Sequence, residues 1–346
     1  MGLSRWAGAA LVLLSLHGVA AARDNAPLPG DQAIQQAVDQ AYAKFKGVTD
    51  GQNASYIPYL AKADPKLYGI AVVTADGRVF KAGDAGHAFP VESIAKVFTL
   101  ARVLKDQGAE AIEAKIGVNA TGQPFNSVLA VELNNDKLTG SPPPGNPLVN
   151  AGAIATASLV PGATLDAKWK TVLDTASAFA GHPLALNQDV YRSEMSGNQH
   201  NQAIALLLQS YDHLYADPMA TVDLYTRECS YDVSAVDLAT MGATLANGGT
   251  NPVSHQAVVD AATGARVLAV MATAGLYNTT GEWLFKVGLP GKSGVGGGIL
   301  AVAPGKLAIG VYSSPLDAAG NSVRGQLAVQ SIAEALGLNL FASTAR

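Results

Sequence analysis

The spacing of apolar residues switches period several times along this chain. From Asp31 to Lys46, Ile34, Val38, Ala41 and Phe45 fall on one helical face, with Asp31 placed to cap the start. Gly69–Thr74 is then a continuous apolar run of strand length. Asp76-Gly77 marks a hairpin turn, and residues 78–82 return as a second strand. A loop through Gly83 and Gly86 leads to Pro90 and to a helix that starts around Ser93, runs to Gln107 and stops at Gly108. Helices and long loops follow: a small-residue helix from about Val149, one over Leu165–Phe179, and one over Asn198–Leu208, with no strand expected among them. Ser234 and Asp237 have the spacing of an N-cap arrangement for a helix to Leu245, ended by Gly248-Gly249. A further apolar helix is expected from about Gln256 to Thr273. Residues 298–302 and Leu307–Tyr312 flank Pro304-Gly305 as an antiparallel hairpin, and a last helix covers about Val323 to Leu336.

Hairpins at both ends and helices between them predict an α/β (α+β) fold. One antiparallel sheet is built from both ends and flanked by the terminal helices, with the helical segment as a second lobe. The expected division is a single catalytic domain over 23–346, its sheet lobe about 31–107 and 228–346 and its helical lobe about 108–227, with a site in the cleft between them.

Composition narrows what such a fold can do. Of 346 residues, 49% are hydrophobic and 14% charged, enough to bury a sizeable core. A net charge of −4, without a Lys/Arg run, argues against a nucleic-acid partner. Arg5, the apolar run Ala7–Leu16 and Ala20-Ala21-Ala22 have the pattern of a signal peptide, so residues 1–22 are expected to be removed on export to the periplasm or medium. No later run is long and apolar enough to span a membrane. The lone cysteine, Cys229, reads as a buried structural thiol. The six histidines fall in no metal-binding spacing, and no metal or cofactor is expected. Gly291-Lys292-Ser293 is not a phosphate loop, because Lys286 stands where that motif needs glycine.

The candidate chemistry is Ser93-Ile94-Ala95-Lys96. Positions three apart share a helical face, so Ser93 Oγ and Lys96 Nζ can share a proton. A serine hydroxyl becomes a useful nucleophile only when a base takes that proton, and a buried lysine with a lowered pKa can do so. Ser-x-x-Lys alone is frequent by chance. Lys292-Ser293-Gly294, near the other end, matches the element that accompanies it in serine acyl-enzymes of the β-lactamase and penicillin-binding type.

With these motifs placed, the chain resembles the glutaminase family of β-lactamase-like serine hydrolases. The segments that carry the resemblance are Tyr56-Ile57-Pro58, Ser93–Lys96, residues 146–154 (Asn-Pro-Leu-Val-Asn-Ala-Gly-Ala-Ile), Ser193-Glu194 with Asn201, Tyr225, Tyr277, and residues 288–298. The resemblance implies hydrolysis of the side-chain amide of L-glutamine to L-glutamate and ammonia, without a cofactor, in a homodimer or homotetramer. It implies Ser93 as nucleophile, Lys96 as its base, and Tyr225 and Tyr277 as active-site tyrosines that orient substrate and relay a proton to ammonia. The backbone N–H groups of Ser93 and Val295 match the oxyanion hole. Tyr56, Asn150, Glu194 and Asn201 match positions that grip the α-amino and α-carboxylate groups. A carboxylate such as Glu194 suits an ammonium, and neutral amides suit a carboxylate.

Three features depart from the family pattern. Glu92 stands where glutamine is usual, and a carboxyl donates a hydrogen bond only when protonated, so affinity or its pH dependence is expected to differ. Thr139–Gly145 resembles an insertion that lengthens a surface loop or else reshapes the cleft rim, and His200 replaces a usual arginine. Two other functions fit the residues less well. A lactamase or peptidoglycan-directed enzyme should carry a Ser-Asp-Asn element, which is missing. A non-catalytic glutamine-binding protein has no need of Ser93 and Lys96. Asn150 could also serve simply as a helix cap.

Overall fold

The structure is a computed structural model that describes residues 28–134 and 140–343. The expected leader, residues 1–22, and Thr139 at the start of the insertion lie outside the described residues. In chain order, α1 (Asp31–Phe45) precedes strands β1 (Gly69–Thr74), β2 (Val79–Gly83) and β3 (Phe89–Pro90). A 3₁₀ turn, Glu92–Ile94, feeds α2 (Ala95–Gln107). Then come α3 (Ala109–Lys115), α4 (Val128–Leu133), α5 (Asn150–Ser158), α6 (Leu165–Ala180), α7 (Gln188–Met195), α8 (Gln199–Ser210) and α9 (Pro218–Cys229). The chain continues with β4 (Asp232–Val233), α10 (Ala235–Ala246), α11 (Ala261–Ala274), a 3₁₀ turn at Tyr277–Thr279 and α12 (Thr280–Val287). It ends with β5 (Gly291–Ser293), β6 (Gly298–Ala303), β7 (Leu307–Tyr312) and α13 (Val323–Ala335).

One antiparallel sheet has the order β2-β1-β7-β6-β5, so β1 from the first third of the chain pairs with β7 near its end, Gly69 opposite Tyr312. Both faces are covered, which is why the strands read as unbroken apolar runs rather than as alternation. Ala71, Val73, Leu300, Val302 and Ala308 face the core under α10, whereas Ile70, Val72, Ile299, Ala301, Ile309 and Val311 face the core under α1 and α13. Full burial of each such Val, Leu or Ile side chain contributes about 1.5–3 kcal/mol. Gly310 lets α10 sit directly on the sheet, since a Cβ there would overlap the Ala235 carbonyl. Away from the sheet, α2 packs on α5, α6 and α11, and α9 packs on α5, α6, α7 and α8.

Several expectations need correcting. Asp31 does not cap α1; Gly30 is the cap residue, and the Asp31 carboxylate pairs instead with Arg78. The helix expected from Gln256 starts only at Ala261. There the Asp260 carboxylate accepts from the Thr263 N–H at 2.6 Å, while Val258 still donates to Gly249 in the preceding loop. The described part of the insertion is not simply a surface loop: Pro143, Pro144 and Gly145 are buried, and Gly117 packs against the Gly145 carbonyl. The helices α7, α9 and α12 and the short β3–β4 pair were not anticipated as elements. The Ser234/Asp237 capping box is formed as expected.

Candidate active site

Ser93 sits in the 3₁₀ turn, two residues before α2 begins, and Lys96 lies in the first turn of α2. The turn is tight because Glu92 adopts φ +51°, a left-handed conformation uncommon outside glycine. Its other wall is the loop between β5 and β6, at the sheet edge where Lys292-Ser293-Gly294 was expected. Gly294 approaches so closely that a Cβ there would lie 2.8 Å from the Val91 carbonyl oxygen, and one at Gly296 would overlap the Pro90 carbonyl. These two glycines press the Val295 backbone against the serine turn. Among the described residues no backbone carbonyl accepts from the Val295 N–H. Ser93, in the first turn of a helix, has an N–H without an intrahelical acceptor. Two free donors at one turn suit a developing oxyanion.

A cavity of about 190 Å³ opens on this turn. Ser93, Tyr225, Val295, Asn150, Glu194, Asn201, Glu92 and Tyr56 all line it. The size fits a small free molecule rather than a polymer. Every side chain expected at the site therefore borders the cavity, save Lys96 and Tyr277, which stand directly behind it. Tyr56, 61% exposed, forms the rim, whereas Ser93, Lys96, Asn150, Tyr225 and Tyr277 are buried.

Lys96 Nζ donates to Asn150 Oδ1 at 2.7 Å, and Asn150 Nδ2 donates to Asn201 Oδ1 at 3.1 Å. Asn150 is the first residue of α5, not its cap, and its amide is committed to this chain. The Ser93 hydroxyl lies beside the Tyr277 phenol, which also donates to the Ser293 carbonyl at 3.3 Å. Tyr277 has φ +58°. Lys292 Nζ, fully buried, stands 4.1 Å from the centre of the Tyr277 ring and donates to the Ser293 carbonyl at 2.5 Å.

Burial dominates the electrostatics. It lowers the Lys96 pKa to about 8, against the opposing pull of Cys229, Glu228, Glu92 and Glu194. Lys292 is pushed well below its ordinary value by burial and by the like charge of Lys96. Tyr225 and Tyr277 are raised by burial, so both remain protonated phenols able to donate. Cys229 lines the cavity, but burial and the nearby carboxylates raise its pKa, which keeps it a thiol rather than a nucleophilic thiolate.

Phe125, Asn126 and Glu228 escaped the sequence, and His200 and Lys292 stood out there without these contacts. Phe125 and Asn126 line the cavity, and the Phe125 ring tilts against Tyr277 at 5.1 Å. His200 closes the rim through a 2.7 Å hydrogen bond with the Asn126 carbonyl. Glu228, wholly buried at the end of α9, accepts from Thr99 Oγ1 at 3.0 Å. Lys292 is the neighbour of Tyr277. Lys292 is marked by its place in Lys-Ser-Gly and His200 by its departure from the family pattern; the other three carry no local signal.

The architecture, an antiparallel sheet flanked by helices with Ser-x-x-Lys facing a Lys-Ser-Gly edge strand, is that of the β-lactamase-like fold. Comparison with known proteins narrows the class. The glutaminase family model matches residues 51–341. The glutaminase of Brucella suis biovar 1 is 54% identical over 309 residues, 89% of this chain and 96% of that protein. Glutaminase 1 of Shigella flexneri is 51% identical over 308 residues, 89% of this chain and 97% of its own. The solved structure of a probable glutaminase superposes with a TM-score of 0.88 at 50% identity, covering 91% of this chain and all of that one. A Bacillus glutaminase structure gives 0.78 at 29% identity, over 89% and 99% of the two chains. The chain belongs to the glutaminase family.

Proposed function

We propose that this amidohydrolase converts L-glutamine to L-glutamate and ammonia through a Ser93 acyl-enzyme. The observation that carries the reading is that one small cavity is bordered by two kinds of group. Ser93, the Tyr225 phenol and the Ser93 and Val295 N–H groups suit acyl transfer. Glu194, Asn150 and Asn201 suit the ammonium and carboxylate of a free amino acid. In this reading neutral Lys96 takes the Ser93 proton as Oγ attacks the side-chain carbonyl carbon. The N–H groups of Ser93 and Val295 hold the oxyanion. Collapse breaks the C–N bond, and the departing amine takes a proton relayed through Tyr277 and Tyr225. Water, deprotonated by the same lysine, then hydrolyses the ester to release glutamate and restore Ser93.

Export, with residues 1–22 removed, and assembly as a homodimer or homotetramer belong to the same reading. The first is supported by Arg5, the Ala7–Leu16 run and the alanines at 20–22. Purified residues 23–346 should release ammonia from L-glutamine, and the Ser93→Ala protein should fold and release none. Near-normal turnover by that variant would remove Ser93 from the mechanism. Turnover of nitrocefin in place of glutamine would move the chain to lactam chemistry. Mass measurement of the exported chain and its sedimentation in solution test the other two points.

A further inference from the structure

We propose that Glu92 and Glu194 form one proton-sharing acid pair that receives the substrate's α-ammonium, so that glutamine binds with release of the pair's proton. The proposal rests on the glutaminase reading for its ligand and on geometry for the rest. Glu92 comes from the turn before the nucleophile and Glu194 from α7, and both line the cavity. Each carboxyl group stands close enough to the other to shift its titration. Two ionised carboxylates bordering one small buried cavity repel each other, so the pair keeps one proton.

Glu92 cannot escape the contact. Its residue is 3% exposed at φ +51°, and the paths of Gly294 and Gly296 run beside it. A Cβ at Gly294 would lie 3.3 Å from Glu92 Cβ, and one at Gly296 3.2 Å from Glu92 Cγ. The Oε1 atoms of Glu92 and Glu194 are both buried and, among the described residues, have no hydrogen-bond partner. Two buried acceptors left over on the wall of one cavity call for a ligand with several donors, and an ammonium carries three.

The groups that face the pair decide its charge. Tyr56 and Tyr277 present phenols; α9 presents Tyr225 and Cys229; Lys96 approaches from α2; Glu228 stands behind Cys229, and Lys292 and Ser293 behind Tyr277. Of these, Lys96 favours the ionised form of Glu92, while burial and the Glu194 charge oppose it, and Glu92 is raised well above the ordinary carboxyl range. The empty site thus keeps its proton. An arriving ammonium places a second positive charge against the pair, and the doubly ionised form becomes the favoured one. The balance is one ammonium bound and one proton released to solvent, with no covalent bond changed.

Titration calorimetry of the Ser93→Ala protein with L-glutamine, in two buffers of different ionisation enthalpy, counts that proton. The expected result approaches one proton released per glutamine near neutral pH. It should vanish in Ser93→Ala/Glu92→Gln, whose amide can donate to Glu194 but has no titrating proton to lose. In the enzyme with Ser93 intact, KM should fall about tenfold per pH unit while the pair's proton is being lost to binding, and the Glu92→Gln profile should be flat. Cooperative melting of each variant establishes its fold, and the proton count of the Ser93→Ala protein does not depend on the Glu92 variant. Binding without proton release, or release unaffected by Glu92→Gln, overturns the proposal while ammonia production by the wild type leaves the glutaminase reading standing. No binding together with no ammonia removes both.

Discussion

Lys96 Nζ and Asn150 Oδ1 are 2.7 Å apart, and that bond sets the resting position of the proposed base. To accept the Ser93 proton the amine must be neutral. With a Lys96 pKa of about 8, lowered first by burial, kcat is expected to fall about tenfold per unit as pH drops below about 8. Asn150→Asp would put a carboxylate at the same short distance and stabilise the ammonium form. The acidic limb of the kcat profile should then move up by one unit or more. A limb that stays in place in Asn150→Asp would remove Lys96 as the titrating group.

Glu228 gives a second pH signature, this one in stability. Burial raises its pKa to about 8. A carboxyl whose folded pKa lies above its unfolded value contributes stability that is fully present below the unfolded value, near 4.3, and is lost as pH rises to about 8. The loss across that window is on the order of 5 kcal/mol. Glu228→Gln does not titrate, so its melting temperature should exceed that of the wild type at pH 8, with the difference narrowing towards pH 5. Because Glu228 supports the charged form of Lys96, the same variant should move the acidic limb of kcat downward. Parallel melting curves at both pH values would contradict the assignment.

How much of this was legible in the sequence depended on whether the signal was local. The strands β1, β6 and β7 could be read directly, because a sheet covered on both faces leaves continuous apolar runs such as Gly69–Thr74. The site motifs were legible because each is a short run with fixed spacing. Helix α9, which carries Tyr225, went unread although Asp217 caps it and Pro218 opens it, both ordinary start signals. The rest is set by tertiary placement. Nothing near Glu228 in the chain marks it as buried, and nothing near Glu92 points to Glu194, 102 positions away on another helix. Asp31 could be read as a cap only while its partner Arg78 was out of view.

The glycine loop supplies a test of the oxyanion donors. In Gly296→Ala the new methyl would collide with the Pro90 carbonyl, and backbone cannot yield as a flexible side chain does. The loop must lift, and Val295 N–H moves with it. Stability should fall by about 1–3 kcal/mol, as for other overpacked sites. Loss of one oxyanion donor predicts a drop in kcat of about 100-fold or more. A variant with full kcat would place the oxyanion elsewhere.

Glu194 and the substrate's ammonium should govern affinity more than rate. Glu194→Gln keeps the side chain's shape and removes the carboxylate opposite the ammonium. Removing one partner of a buried charge pair costs about 2–5 kcal/mol, so KM for glutamine should rise about 30-fold or more, with a smaller change in kcat. An unchanged KM would take the head-group role away from Glu194.

Tyr277→Phe should give the opposite split. The ring packs 4.1 Å from Lys292 Nζ and 5.1 Å from Phe125, and phenylalanine preserves both contacts. Only the hydroxyl is lost, with its place beside Ser93 and its bond to the Ser293 carbonyl. One hydrogen bond fewer costs about 1 kcal/mol of stability, so the variant should fold. Proton relay to the departing amine is a transition-state function, and its loss lowers kcat by about 100- to 10,000-fold while leaving substrate binding in place. Steady-state kinetics on glutamine separates the two variants: kcat should fall at nearly constant KM in Tyr277→Phe, and KM should rise in Glu194→Gln. If Tyr277→Phe instead raised KM alone, the phenol would belong to substrate binding and Tyr225 would be left as the proton donor.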